Sequence, residues 1–125
     1  MILGLGIDLL DTGRVEQELS RGEWLADHGI FTAGEIRFCS AEPNPAPDYA
    51  ACFAAKEATI KALGVQANDL ALFREVEVGQ GSGQDYEVIL HNRLKAASEQ
   101  LGVRRIQLSM THSAGLAGAV IILED

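Results

Sequence analysis

Residues Tyr49–Gly64, YAACFAAKEATIKALG, decide the reading of this 125-residue chain. As a helix, the stretch puts Ala51, Ala55, Ala58 and Ala62 on one face, at spacings of four, three and four. Side chains this small let another backbone come close, so that face is expected to be buried. Phe53, Glu57 and Lys61 form a second stripe at strict i, i+4 spacing. Ala, Leu, Glu and Lys are good helix formers, and Gly64 is a stop just past the last turn. Pro45–Ala46–Pro47 supplies a non-helical lead-in, with Asp48 as the expected N-cap. Taken alone, Glu57 and Lys61 read as a solvated helix pair worth about 0.3–0.5 kcal/mol.

Working outward, Ile2–Leu10 reads as a buried strand in which Gly4 and Gly6 permit close backbone approach. Asp8 stands out in it, because a carboxylate among apolar residues must be paired, hydrogen-bonded or bound to a metal. Capping of the next helix and metal ligation are both open to it. A helix follows from Asp11 or Thr12 as cap, carrying Arg14 and Arg21. Thr32-x-x-Glu35 has the capping-box form, so a short helix is expected from Ala33 to Cys39. Ser40–Asp48, with Pro43, Pro45 and Pro47, reads as an exposed loop. Leu72–Val78 alternates like a half-buried strand with Arg74 and the acidic residues, Glu75 among them, outward, Gln80–Asp85 is a turn and Tyr86–Leu90 a returning strand. Asn92–Leu101 reads as a helix closed by Gly102, and Arg105–Thr111 and Gly115–Leu123 as strands joined by a turn at His112–Ser113–Ala114. The order is strand, helices, hairpin, helix, hairpin: one α+β domain over residues 1–125, an antiparallel sheet packed around a long central helix.

Composition narrows the function. The net charge of −8 argues against a nucleic-acid or anionic-membrane surface. The apolar stretch Leu116–Leu123 is too short to span a bilayer, and the opening MILGLGID does not read as a secretory signal. Cys39 and Cys52 lack metal-ligand spacing and are expected to be free thiols in a reducing cytoplasm. Asp8, Glu57 with Lys61, and His112 are the polar features in apolar settings. Two carboxylates with a lysine one turn away suit a hard divalent cation beside a phosphate. A histidine could bind phosphate or move a proton, although a lone turn histidine is commonly just solvated.

Four segments, in order, carry a family resemblance: GLGIDLLDTGRVE from Gly4, FTAGEIRFC from Phe31, FAAKEATIKALG from Phe53 and LSMTHSAGLAGAVIILE from Leu108. Together they resemble the holo-[acyl-carrier-protein] synthases, small members of the 4′-phosphopantetheinyl transferase superfamily. The resemblance implies Mg²⁺-dependent transfer of the phosphopantetheine arm of coenzyme A to a serine of an apo-acyl carrier protein, releasing 3′,5′-ADP. It implies a cytoplasmic homotrimer that binds coenzyme A between subunits. Asp8 and Glu57 then match the metal carboxylates, and with Lys61, the pyrophosphate contact, they make up the catalytic set. Phe53, Thr111 and His112, the last two within Ser109–Met110–Thr111–His112, match coenzyme contacts. Arg14, with Arg21, matches the carrier-facing helix, which would answer the charge problem posed by acidic carriers. Cys52 stands where the family usually has an arginine that helps hold the 3′-phosphate, and Ser40–Asp48 lacks that family's basic residues. A non-catalytic paralogue that binds coenzyme A or carrier protein is the alternative. An acyl-thioester-binding domain built on a long central helix is a third reading, but it has no need of Asp8.

Overall fold

The computed structural model describes residues 1–25, 29–83 and 85–125. Strand β1 (Ile2–Asp11) leads into α1 (Thr12–Arg21), and α2 (Ala33–Cys39) precedes the long helix α3 (Ala46–Ala62). Strands β2 (Val76–Gln80) and β3 (Tyr86–Leu90) form a hairpin. Helix α4 (Asn92–Leu101) and the pair β4 (Arg105–Ser113) and β5 (Leu116–Glu124) complete the chain. The larger sheet has the order β1-β5-β4, all antiparallel, and β2-β3 is a separate two-stranded sheet.

Helix α3 is buried on nearly every side. Ala51, Ala55, Ala58 and Ala62 are buried as their spacing predicts, and so are Tyr49, Ala50, Cys52, Ala54, Lys56, Thr59 and Ile60. A helix apolar all round belongs in the middle of a fold. Against it lies β1, at a distance only glycine permits: a Cβ on Gly4 would strike the Ala62 carbonyl oxygen, and one on Gly6 the Ala58 carbonyl oxygen. This backbone-on-backbone contact carries Asp8 to the side of α3.

Several boundaries differ from expectation. Helix α3 starts at Ala46, before Asp48, and its N-cap Pro45 makes no side-chain cap bond. Pro47 is tolerated because first-turn N–H groups have no helical partner. Residues Leu70–Glu75 form a 3₁₀ turn rather than the start of a strand. Asp69 caps it by accepting a hydrogen bond from the Leu72 N–H at 3.0 Å. Glu75 is buried instead of pointing outward, because it accepts bonds from Arg93 Nε (2.8 Å) and the Arg93 backbone N–H (2.7 Å). The last hairpin turns at Ala114–Gly115, both with positive φ, which leaves His112 and Ser113 inside β4. A two-residue turn of that hand matches the strand twist and calls for glycine. Strand β1 is buried only on its α3 side. Ile2, Leu5, Ile7 and Leu9 are each more than 60% exposed on the other.

One buried structure is larger than its sequence signal. The Thr32–Glu35 capping box forms as predicted, and Glu35 also reaches Lys56 on α3. Both side chains are fully buried and meet at 2.7 Å. Lys56 Nζ also donates to the Val76 carbonyl, while Glu35 Oε2 accepts from the Val78 N–H at 2.8 Å. Helices α2 and α3 and strand β2 are thereby tied together at one fully bonded ion pair.

Candidate active site

Asp8, Glu57 and Lys61 converge. Lys61 Nζ lies 2.9 Å from Asp8 Oδ1 and 3.5 Å from the Ile7 carbonyl oxygen. Lys61 therefore crosses to β1 rather than pairing with Glu57 along its own helix, so the solvated i, i+4 pair is not what forms. Asp8 Oδ2 is buried and has no hydrogen-bond donor facing it. Burial pushes the Glu57 carboxyl above its ordinary range, the neighbouring Asp8 pushes the same way, and Lys61 opposes them. Hydrogen bonding to Asp8 raises Lys61 in turn.

Two carboxylates this close, one with an orphaned oxygen, form an anionic niche with one ammonium at its edge. Such oxygens are the donors a hard dication takes, and the donor set fits Mg²⁺, which needs only one or two protein carboxylates. Among the described residues no cluster of three or more His, Cys, Asp or Glu could hold a metal. The two-carboxylate site is thus the candidate these residues offer.

The remaining predicted residues fall in three places. A cavity of about 360 Å³ between α1 and α3 is lined by Arg14, Glu18 and Glu57, with Leu10, Val15, Trp24 and Phe53 as its apolar wall. Phe53 is stacked with Trp24 (4.9 Å between ring centroids) and with Phe73 (5.2 Å). Arg21 lies outside this lining and is held by Glu18 at 3.0 Å. Thr111 and His112 line a second cavity, of about 210 Å³, with Phe38, Asp48, Cys52 and Tyr86. Neither Asp8, Glu57 nor Lys61 belongs to it. A third hollow, on the exposed sheet face, contains both Asp8 and Thr111. Within one chain, then, His112 does not join the carboxylates. The sequence reading missed Leu10 and Trp24, whose only signal was apolarity beside Arg14 and Phe53.

Residues 4–117 match the 4′-phosphopantetheinyl transferase superfamily. The chain belongs to that superfamily. Its relatives within the superfamily include the holo-[acyl-carrier-protein] synthase of Koribacter versatilis, 37% identical over 126 residues and covering all of both chains. The crystal structure of the holo-[acyl-carrier-protein] synthase from Neisseria meningitidis matches with a TM-score of 0.85 and 28% identity, again over the whole of both chains. A Bacillus anthracis holo-(acyl-carrier-protein) synthase in complex with CoA (3′,5′-ADP) matches with a TM-score of 0.76 and 26% identity, over 98% of this chain and 96% of that one. Membership of the superfamily accounts for the central helix and for the strand laid against it. Among the described residues no helix is long and apolar enough to cross a membrane.

Proposed function

We propose that this chain transfers the 4′-phosphopantetheine arm of coenzyme A to a serine hydroxyl of an apo-acyl carrier protein. The observation that carries the reading is the convergence of Asp8 and Glu57 from two separate elements, with Lys61 on Asp8 and one Asp8 oxygen unsatisfied. Relatives named for this activity and a structural neighbour holding coenzyme A support it.

In the reaction, serine Oγ forms a bond to the β-phosphorus of coenzyme A as the bond from that phosphorus to the bridging oxygen breaks. The serine proton passes to Glu57, directly or through a water. The bridging oxygen leaves on 3′,5′-ADP. Lys61, released from Asp8 by the incoming anion, neutralises charge on that leaving group. Asp8 and Glu57 would hold Mg²⁺, which when bound supplies positive charge to the pyrophosphate. His112 would contact the coenzyme from a second copy of the chain, because in one copy its cavity holds neither Asp8 nor Glu57, while Thr111, which also lines the hollow that contains Asp8, would contact it beside them. The apolar row Leu5, Ile7 and Leu9 offers the surface for assembling copies, as a trimer by family analogy. Two buried free thiols, Cys39 and Cys52, suit the cytoplasm.

The test is incubation with coenzyme A and a panel of apo-carriers, followed by intact mass, with and without Mg²⁺. The expected result is a Mg²⁺-dependent gain of about 340 Da, one phosphopantetheine, on at least one carrier. A folded sample that binds coenzyme A yet modifies none of them would instead be a non-catalytic binding module.

A further inference from the structure

The Asp8 carboxylate already has a cation of its own. Lys61 Nζ lies 2.9 Å from Asp8 Oδ1 and 3.5 Å from the Ile7 carbonyl oxygen. Two of the three ammonium N–H groups are therefore spent on β1, and one is left over. That lysine side chain is 51% exposed, whereas Asp8 is only 11% exposed. Asp8 Oδ2 is buried without a donor, and Glu57, one turn before Lys61 on α3, adds a second carboxylate beside it. Lysine and a dication thus compete for one carboxylate. A dication on either Asp8 oxygen comes within a few ångströms of the ammonium, and in a partly buried setting like charges that close repel strongly.

We infer that Lys61 is a latch on the divalent-cation site: paired with Asp8 it keeps the site weak for a metal alone, and an incoming pyrophosphate opens it by drawing the ammonium off. The inference rests on the proposed transfer reaction and names how its site is loaded. Once freed, the ammonium keeps a partner, because a pyrophosphate offers it more negative charge than one carboxylate does. Metal and anion then favour each other beyond their direct attraction, through the one residue that passes between them. The competing account is an ordinary half-exposed ion pair, which contributes little and yields to a metal without cost. The two accounts differ in what removing the lysine does to binding of the metal alone.

The experiment measures binding of Mn²⁺, which takes the same oxygen donors as Mg²⁺, from the paramagnetic resonance signal of the free ion. The proteins are wild type, Lys61→Met, Lys61→Met/Asp8→Asn and Lys95→Met, each with and without coenzyme A, corrected for Mn²⁺ held by the coenzyme itself. Lys95 is exposed on α4, and its loss changes the net charge by the same amount. Lys61→Met is expected to bind Mn²⁺ alone about tenfold or more tightly than wild type. Adding Asp8→Asn abolishes that gain, and Lys95→Met stays within about twofold of wild type. Saturating coenzyme A tightens Mn²⁺ about tenfold or more on wild type and by a smaller factor on Lys61→Met. An affinity of Lys61→Met for Mn²⁺ alone equal to or below that of wild type overturns the inference. An equal gain from Lys95→Met, or the same coenzyme factor in both proteins, does so too. If Lys61→Met does not fold, Lys61→Gln, which keeps a donor for Asp8 but no charge, must show the gain instead. Transfer is read separately: a wild type that passes these tests yet modifies no apo-carrier keeps the latch and loses the reaction, and one that transfers but fails them loses only the latch.

Discussion

Helix α3 carries two lysine–carboxylate pairs five residues apart, and they are opposites. Lys56–Glu35 is wholly buried at 2.7 Å, and its polar atoms are occupied by backbone partners on Val76, Val78 and Thr32. Lys61–Asp8, at 2.9 Å, keeps a lysine side chain 51% exposed, an Asp8 oxygen with no donor and a neighbour, Glu57, held above its ordinary pKa. The first pair leaves nothing for a ligand to satisfy. The second leaves an unmet oxygen, a carboxyl with raised proton affinity and a half-exposed cation. Similar chemistry serves as architecture in one place and, in the proposed reaction, as reactivity in the other, and the difference lies in how completely the surroundings satisfy it.

The largest expected effect breaks the reactive pair's function without touching the fold. Glu57→Gln should lower single-turnover transfer about 10²–10⁴-fold while its melting temperature stays at or above that of wild type. A variant that keeps near-normal transfer would remove Glu57 from the chemistry. Next comes the architectural pair. Lys56→Met strands a buried carboxylate and should cost about 3–5 kcal/mol in urea unfolding, while the double variant Lys56→Met/Glu35→Leu recovers most of it. If the double variant is no better than the single, burial of an unpaired charge is not the cause. Gly6→Ala sharpens the comparison by acting on both sides: forcing β1 off α3 should cost about 1–3 kcal/mol and also slow transfer, because Asp8 moves with the strand. Asp11→Ala removes the α1 cap, whose oxygen accepts from the Gly13 N–H at 2.8 Å. It should cost about 1 kcal/mol with transfer intact, as read by melts and rates on the same samples.

The smallest effect is one of pH. Folded Glu57 binds its proton more tightly than the unfolded chain does, so between the ordinary carboxylate range and its raised value the folded state holds more protons. Wild-type stability relative to Glu57→Gln should therefore fall as pH rises through that window and stay level above it. A difference that grows with pH would mean that Glu57 is stabilised as the anion.

Much of this was legible in the sequence because it is local. The Thr32–Glu35 box, the Gly102 stop and the alanine face of α3 are each set within a turn or two of helix. The convergence of Asp8, Glu57 and Lys61 came from family resemblance rather than spacing, since no local rule brings β1 to α3. The structure adds the cause, glycines opposite helix carbonyls. Lys56 was hidden for a related reason. Its position reads as ordinary helix, and the partner that explains its burial is 21 residues away. Glu75 misled for the same reason, its alternation suggesting an outward residue until Arg93 turned it inward.

The contact of Gly4 and Gly6 with α3 has one more consequence. Where main chain meets main chain there are no rotamers to excite, so the spacing between strand and helix is fixed by covalent geometry and not by the order of flexible side chains. On warming, such a seam should hold its gauge while the lysine tip and the α1 arginines loosen. The enzyme would then lose its grip on ligands well before it loses the alignment of its two acids.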